Sequence, residues 1–259
     1  PIERTRYRPI RVLGAGTFGE VVLMEAVSPR GVRRLVAVKL LRRGWDARAQ
    51  VAARLRDEAR IMALLRHRSI VRAEDIVTLD QRLGVLMEYV PGVDLRDLTI
   101  RPHPEVGLPP ARVVAEIAAE VAEALDVAYN KAPYGQSAPI RVIHRDVKAE
   151  NVVITASGGV KLIDFGLALS EDVTQRLTRR GYVVGTRSFI PPEVLELDQP
   201  WTDSADCFAL GVLGSYFLGG HEDLIVAELS QTPYEDPYEV VPKVEDLPGP
   251  EELRALLGE

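Results

Sequence analysis

The sequence predicts an α+β protein of two lobes: a small front lobe, mainly β with one helix, and a larger, mainly α remainder. Three observations predict it. Residues 8–40 alternate apolar, β-branched runs with Gly and charge, the pattern of strands and turns. Residues 47–66 and 111–129 carry apolar stripes at helical spacing, and 205–218 form a more apolar helix. The 259 residues suffice for two such lobes, with the division near Val90–Asp94, so the front lobe covers about 1–90 and the back lobe about 91–259. A cleft between two lobes is a natural ligand site.

The elements follow in order. "GAGTFGEVV" places Gly14, Gly16 and Gly19 in a G-x-G-x-x-G pattern. A dinucleotide-binding unit would need a helix directly after the glycines, whereas "EVVLMEAV" reads as a strand. A strand–Gly loop–strand arrangement lays backbone N–H groups over a ligand, where they meet phosphates. In "LVAVKL" side chains alternate faces, so Ala37 and Lys39 point together beneath that loop. The helix over 47–66 has Val51, Leu55, Met62 and Leu65 on its stripe, and Glu58 shares it. A core-facing carboxylate is costly unless paired, and Lys39 is the candidate partner. Taken singly, Lys39 also reads as a strand-end cation in water, and Glu58 as a marginal residue snorkelling outward. Residues 74–79 and 83–90 read as a second strand pair, and "VPGVD" breaks the chain. Pro109 and Pro110 then open a helix with Val113, Val114, Ile117, Val121 and Leu125 on one face.

The segment "RVIHRDVKAENVVITASGGVKLIDFG" holds the densest chemistry. "NVVIT" and "VKLID" flank "ASGG" as two strands of a hairpin. With the turn centred between Ser157 and Gly158, Asn151 falls opposite Asp164, at about 4.5–5.5 Å. An amide oxygen beside a carboxylate suits Mg²⁺, which favours hard oxygen ligands together with phosphates and water. Asp146 and Lys148 lie just before the first strand, at the same edge.

Composition narrows the function. An apolar content of 46% with 27% charge predicts a packed core. A single cysteine, Cys207, excludes an internal disulfide and fits a reducing, cytoplasmic location. The net charge of −6 argues against general nucleic-acid binding. The apolar runs are too short to span a bilayer and the N-terminus has no leader pattern, so no membrane contact is expected of this segment. Lysine is scarce beside arginine, which points to a GC-rich bacterial genome and makes Lys39 and Lys148 stand out in their apolar settings.

Taken together, "GAGTFGEVV", "VAVK", Glu58, "MEYVPGVDL", "HRDVKAEN", "DFG", "GTRSFIPPE" and "DCFALGV" resemble, in order over about residues 7–220, the Hanks-type serine/threonine protein kinases, particularly their bacterial members. The resemblance implies the bilobal kinase fold and transfer of the γ-phosphoryl group of Mg·ATP, with Mn²⁺ as an alternative ion, to protein Ser or Thr hydroxyls. It implies that Lys39 holds the α- and β-phosphates and pairs with Glu58. Asp164 and Asn151 bind metal, Asp146 accepts the hydroxyl proton, and Lys148 neutralises the γ-phosphate. Glu88 to Val90 form the hinge that meets adenine, Met87 lies at the back of the adenine pocket, and Asp94 contacts ribose. Arg145 answers a phosphorylated activation segment between Asp164 and Glu193. Thr178 is the preferred phosphosite, Thr174 the second, and Thr186 belongs to the substrate floor. A homodimer for autophosphorylation and a membrane-tethered parent protein also fit the family.

Three departures stand out. Ala149 replaces the usual Pro after Lys148, and "PPE" replaces Ala-Pro-Glu. Beyond the 205–218 helix, about 40 residues rich in Pro and acid remain, so the expectation is a truncated C-lobe ending in a helix that starts near Pro250, with a divergent, shortened lobe as the alternative. Two other functions fit parts of the pattern. A pseudokinase scaffold is disfavoured by the complete set Lys39, Glu58, Asp146, Asn151 and Asp164. A small-molecule phosphotransferase of similar fold generally lacks the "GT…PPE" peptide platform.

Overall fold

The computed structural model describes residues 5–15, 19–43, 49–100, 109–133, 135–165, 189–195 and 200–218. Its first sheet contains β1 (Arg6–Ala15), β2 (Gly19–Val27), β3 (Arg33–Leu41), β4 (Ala73–Leu79) and β5 (Arg82–Glu88), ordered β1-β2-β3-β5-β4 and antiparallel throughout. The alternation read from "LVAVKL" sorts β3 between two cores. Val36, Val38 and Leu40 pack with Val22, Met24 and Leu86 on one side. Ala37 and Leu41 face the main core on the other, with Leu55, Ala59 and Met62 of α1 (Ala49–Leu64). Those three α1 residues are spaced at four and three positions, one helical face. The β4–β5 turn is held by Asp80 at φ 48° and Gln81 at φ 64°. Two positive-φ residues in a two-residue loop match the twist of the strands they join.

A smaller sheet of three strands follows: β6 (Gly92–Asp94), β7 (Val152–Thr155) and β8 (Val160–Leu162), in that order. Strand β6 lies in the stretch read as a break. Its Asp94 Oδ1 accepts the Asp97 N–H at 2.8 Å and so caps α2 (Leu95–Ile100). Helix α3 (Ala111–Asn130) buries Val114, Ile117, Val121, Ala124 and Ala128. Val113, expected on that face, is exposed, because the buried stripe advances by threes and fours from Val114. A 3₁₀ turn (Ala149–Asn151) precedes β7, and α4 (Pro192–Leu195) and α5 (Asp203–Leu218) complete the described elements. No helix among the described residues is long and apolar enough to cross a membrane.

One expectation of register is corrected. Val152 pairs with Leu162 and Ile154 with Val160, so Asn151 lies opposite Ile163 rather than Asp164. The Ile163 N–H donates to the Asn151 carbonyl at 2.8 Å. The turn is three residues long and centred on Ser157, closed by Thr155 N–H to Gly159 O at 2.8 Å, with Gly158 at φ 80°. A one-residue slip would send every side chain of a regular strand to the other face. Asp164 leaves the strand geometry altogether, at φ 59°.

Candidate active site

Asp206, on the buried face of α5 with Ala205 and Ala209, organises the His144–Arg145 segment. Its two carboxylate oxygens accept the backbone N–H groups of His144 at 2.6 Å and Arg145 at 2.8 Å. Burial pushes its carboxyl above the ordinary range, while the two amides pull it back. Arg145 sits at φ 67°, an uncommon conformation for a side chain with a Cβ, and the carboxylate clamp holds it there. His144 is fully buried, with its ring edge-on to Phe165 at 4.4 Å. Its Nε2 meets the Ile163 carbonyl at 3.0 Å and its Nδ1 faces the Asp146 N–H at 3.3 Å. A carbonyl can only accept, so the tautomer protonated on Nε2 satisfies both.

Asp146, Lys148 and Asn151 then converge. Asp146 Oδ2 receives the Lys148 ammonium at 2.9 Å and the Asn151 amide at 2.9 Å. The same amide donates to the Asp146 carbonyl at 2.7 Å. Both acceptors fix the Asn151 NH₂, which leaves its Oδ1 as the side-chain atom that can meet a cation. Lys39 reaches across from β3 to Asp164 Oδ1 at 2.5 Å. Glu58 lies on α1, and its side chain is outside the described residues. Among the described residues no group of three or more His, Cys, Asp or Glu side chains is placed to hold a metal. One carboxylate and one amide oxygen fit a divalent ion that brings phosphate oxygens and water with it.

Ala37 and Met87 are directly paired between β3 and β5, both buried, at the end of the sheet where the chain passes through Glu88 and Val90 to β6. The Glu88 carboxylate accepts Lys161 Nζ at 2.6 Å and the Arg72 N–H at 2.8 Å. Burial raises the Asp94 carboxyl, and its bond from the Asp97 amide opposes this. At Gly19 a Cβ would lie 2.0 Å from the Leu40 carbonyl oxygen, so only glycine lets β2 approach β3 there. At Gly14 a Cβ would meet nothing within 4 Å. Gly16, Thr174, Thr178, Thr186 and the expected helix near Pro250 lie outside the described residues.

The sequence matches the family described as "Protein kinase domain" over residues 7–236. The chain belongs to that family. The serine/threonine-protein kinase pkn2 of Myxococcus xanthus is 34% identical over 220 residues, 83% of this chain and 24% of that protein. PknD of Mycobacterium tuberculosis is 36% identical over 214 residues, 82% of this chain and 30% of that protein. PknB of Mycobacterium leprae is 32% identical over 224 residues, 85% of this chain and 33% of that protein. The chain thus spans about a quarter to a third of these curated relatives. The crystal structure of the PknI kinase domain of Mycobacterium tuberculosis, a double mutant, superposes with a TM-score of 0.61 at 25% identity, over 98% of this chain and 82% of that one. The α+β, bilobal class expected from the sequence is the fold of this kinase family, which works with ATP, a divalent metal and protein substrates.

Sequence reasoning assigned no role to Asp206. The signal was present: a carboxylate among the buried positions of an otherwise apolar helix must bond to something. The partners are backbone amides more than 60 residues away, which no side-chain pattern marks.

Proposed function

We propose that this kinase domain is an ATP-dependent protein serine/threonine kinase. The observation that carries the proposal is the Asp146–Lys148–Asn151 cluster, together with the Lys39–Asp164 pair. The substrate hydroxyl oxygen bonds to the γ-phosphorus of ATP as the bond to the β-γ bridging oxygen breaks, and ADP leaves. Asp146 orients the hydroxyl and takes its proton. Both described side-chain bonds to Asp146 fall on Oδ2, which supports Oδ1 as the oxygen that takes the proton in this reading. Lys148 is held beside that carboxylate, where its charge meets the γ-phosphate. Lys39 trades part of its hold on Asp164 for the α- and β-phosphates and pairs with Glu58. Mg²⁺, held by Asp164 and Asn151, supplies neutralisation of phosphate charge when bound.

The remaining assignments belong to the same proposal. Gly14, Gly16 and Gly19 bring bare backbone over the phosphates. Ala37 and Met87 wall the adenine pocket, and Glu88 to Val90 offer it backbone groups. Asp94, whose Oδ1 caps α2, presents its other oxygen to ribose. A phosphate on Thr178, or secondly Thr174, is drawn to Arg145, and Thr186 belongs to the substrate floor. The lobes divide near residue 90. The domain works in the cytoplasm, where ATP is available, without nucleic-acid or membrane contacts of its own, and autophosphorylates between two copies.

The test is phosphotransfer from radiolabelled ATP with Mg²⁺, to the domain itself and to a basic protein, beside Asp146→Asn. The expected result is label lost in the variant and mapped to Thr178 or Thr174. A folded, nucleotide-binding domain that transfers no label would overturn the reading.

A further inference from the structure

We infer that Arg82 is a positioning residue for the glycine loop, acting through Glu20; the inference rests on the kinase reading above. Arg82 opens β5, directly after the tight Asp80–Gln81 turn, so its backbone is fixed. Its guanidinium crosses the end of β3. The Nε–H donates to the carbonyl of Leu41, the last residue of β3, at 2.7 Å. Nη1 bonds Glu20 Oε1 at 2.6 Å. Both side chains are largely withdrawn from water, Arg82 16% and Glu20 32% exposed, so solvent screens the pair less than it screens a surface pair.

The location gives the pair its consequence. Glu20 is the second residue of β2, paired with Ala15 on one side and Leu40 on the other. The Ala15–Glu20 pair is the last rung before the chain enters the stretch that carries Gly16. Gly19, one residue earlier, is already pressed on the Leu40 carbonyl. At this corner the ladders end, and strand ends without further rungs fray first. Arg82 ties β2, β3 and β5 together there with one planar group and two bonds. The glycine stretch is anchored to the sheet through its two flanking strand ends, Ala15 on β1 and Glu20 on β2, so where it stands over phosphates depends on how those ends are held. The fork geometry matters: a lysine is a point charge that cannot meet the carbonyl and the carboxylate in the same way.

The test uses the full chain. Dissociation constants for a non-hydrolysable ATP analogue with Mg²⁺, KM for ATP, kcat and Tm are measured for wild type, Arg82→Ala, Glu20→Ala, the double variant and Arg82→Lys. The expected result is a rise of about fivefold in Kd and KM for ATP in each alanine variant, as for loss of one partly buried ion pair. KM for a peptide substrate stays at its wild-type value. The double variant is expected to be no worse than the worse single one, and Arg82→Lys to fall between it and wild type. A lowered Tm with unchanged nucleotide affinity, or effects that simply multiply in the double variant, would overturn the inference. Should Arg82→Ala fail to fold, Arg82→Lys and Glu20→Ala carry the same comparison. The analogue titration needs no turnover, so it separates the two readings. An inactive wild type refutes the kinase reading, while unchanged analogue affinity refutes the role of Arg82.

Discussion

Replacing Asp206 with Ala removes a buried carboxylate that satisfies two backbone donors at once, the N–H groups of His144 and Arg145. Orphaning each buried donor costs about 1–3 kcal/mol, or about 2–6 kcal/mol for the two. Removing the carboxyl also returns part of the cost of having buried it, set here at about 1–3 kcal/mol, the value that mutational data give a buried neutral polar group. The net loss of stability is therefore about 1–3 kcal/mol. Activity should fall further than stability. Arg145 holds its φ of 67° under that clamp, and Asp146 is the next residue. A displacement of about 1 Å at a catalytic group costs on the order of 10²-fold. Urea unfolding supplies the stability, and phosphotransfer at saturating ATP supplies kcat. Asp206→Asn, which keeps one acceptor oxygen and turns an NH₂ toward the other donor, should lie between wild type and Ala in both assays. If Asp206→Ala changes stability by less than about 0.5 kcal/mol, with kcat within about threefold of wild type, the clamp has no role in setting the catalytic segment.

Three further outcomes are expected. Gly19→Ala puts a methyl group 2.0 Å from the Leu40 carbonyl oxygen, so β2 must move. Melting temperature should drop by several degrees, corresponding to about 1–3 kcal/mol, and KM for ATP should rise. Lys39→Met removes a pair that is partly open to water, so stability should change by less than about 1 kcal/mol, whereas phosphotransfer should fall by at least about 10²-fold. A calorimetric scan beside the activity assay checks both halves. Glu120 accepts the Ser69 hydroxyl at 2.6 Å, and chiefly this bond, aided by Arg68, holds its carboxyl below the ordinary range. A carboxyl lowered on folding stabilises above its unfolded pKa, and that contribution is lost as pH falls through the folded value. Glu120→Gln should therefore be less stable than wild type at neutral pH, with the gap closing in acid; parallel urea titrations at the two pH values would expose a constant gap.

Local regularities determined most of the fold. The β-branched alternation in "LVAVKL" assigned Ala37 and Lys39 to one side of β3, and the α1 stripe named Leu55 and Met62 as core. Periodicity is a local property, so a linear reading captures it. The same reading gathered Asp146, Lys148 and Asn151 within six residues of chain, where a short loop had to bring them together. Tertiary structure decided what spans distance or depends on a turn. Ser157 and Gly158 could close the β7–β8 hairpin at either of two registers, and the left-handed Gly158 selected the one that sets Asn151 against Ile163. Lys39 and Asp164 stand 125 residues apart, and Arg82 and Glu20 stand 62 apart. Such pairs are chosen by which strand ends and loops are packed side by side. Asp206 is the sharpest case, because its partners are main-chain amides, which nearly every residue carries, and only the packing of α5 beneath His144 and Arg145 brings those two amides to its carboxylate.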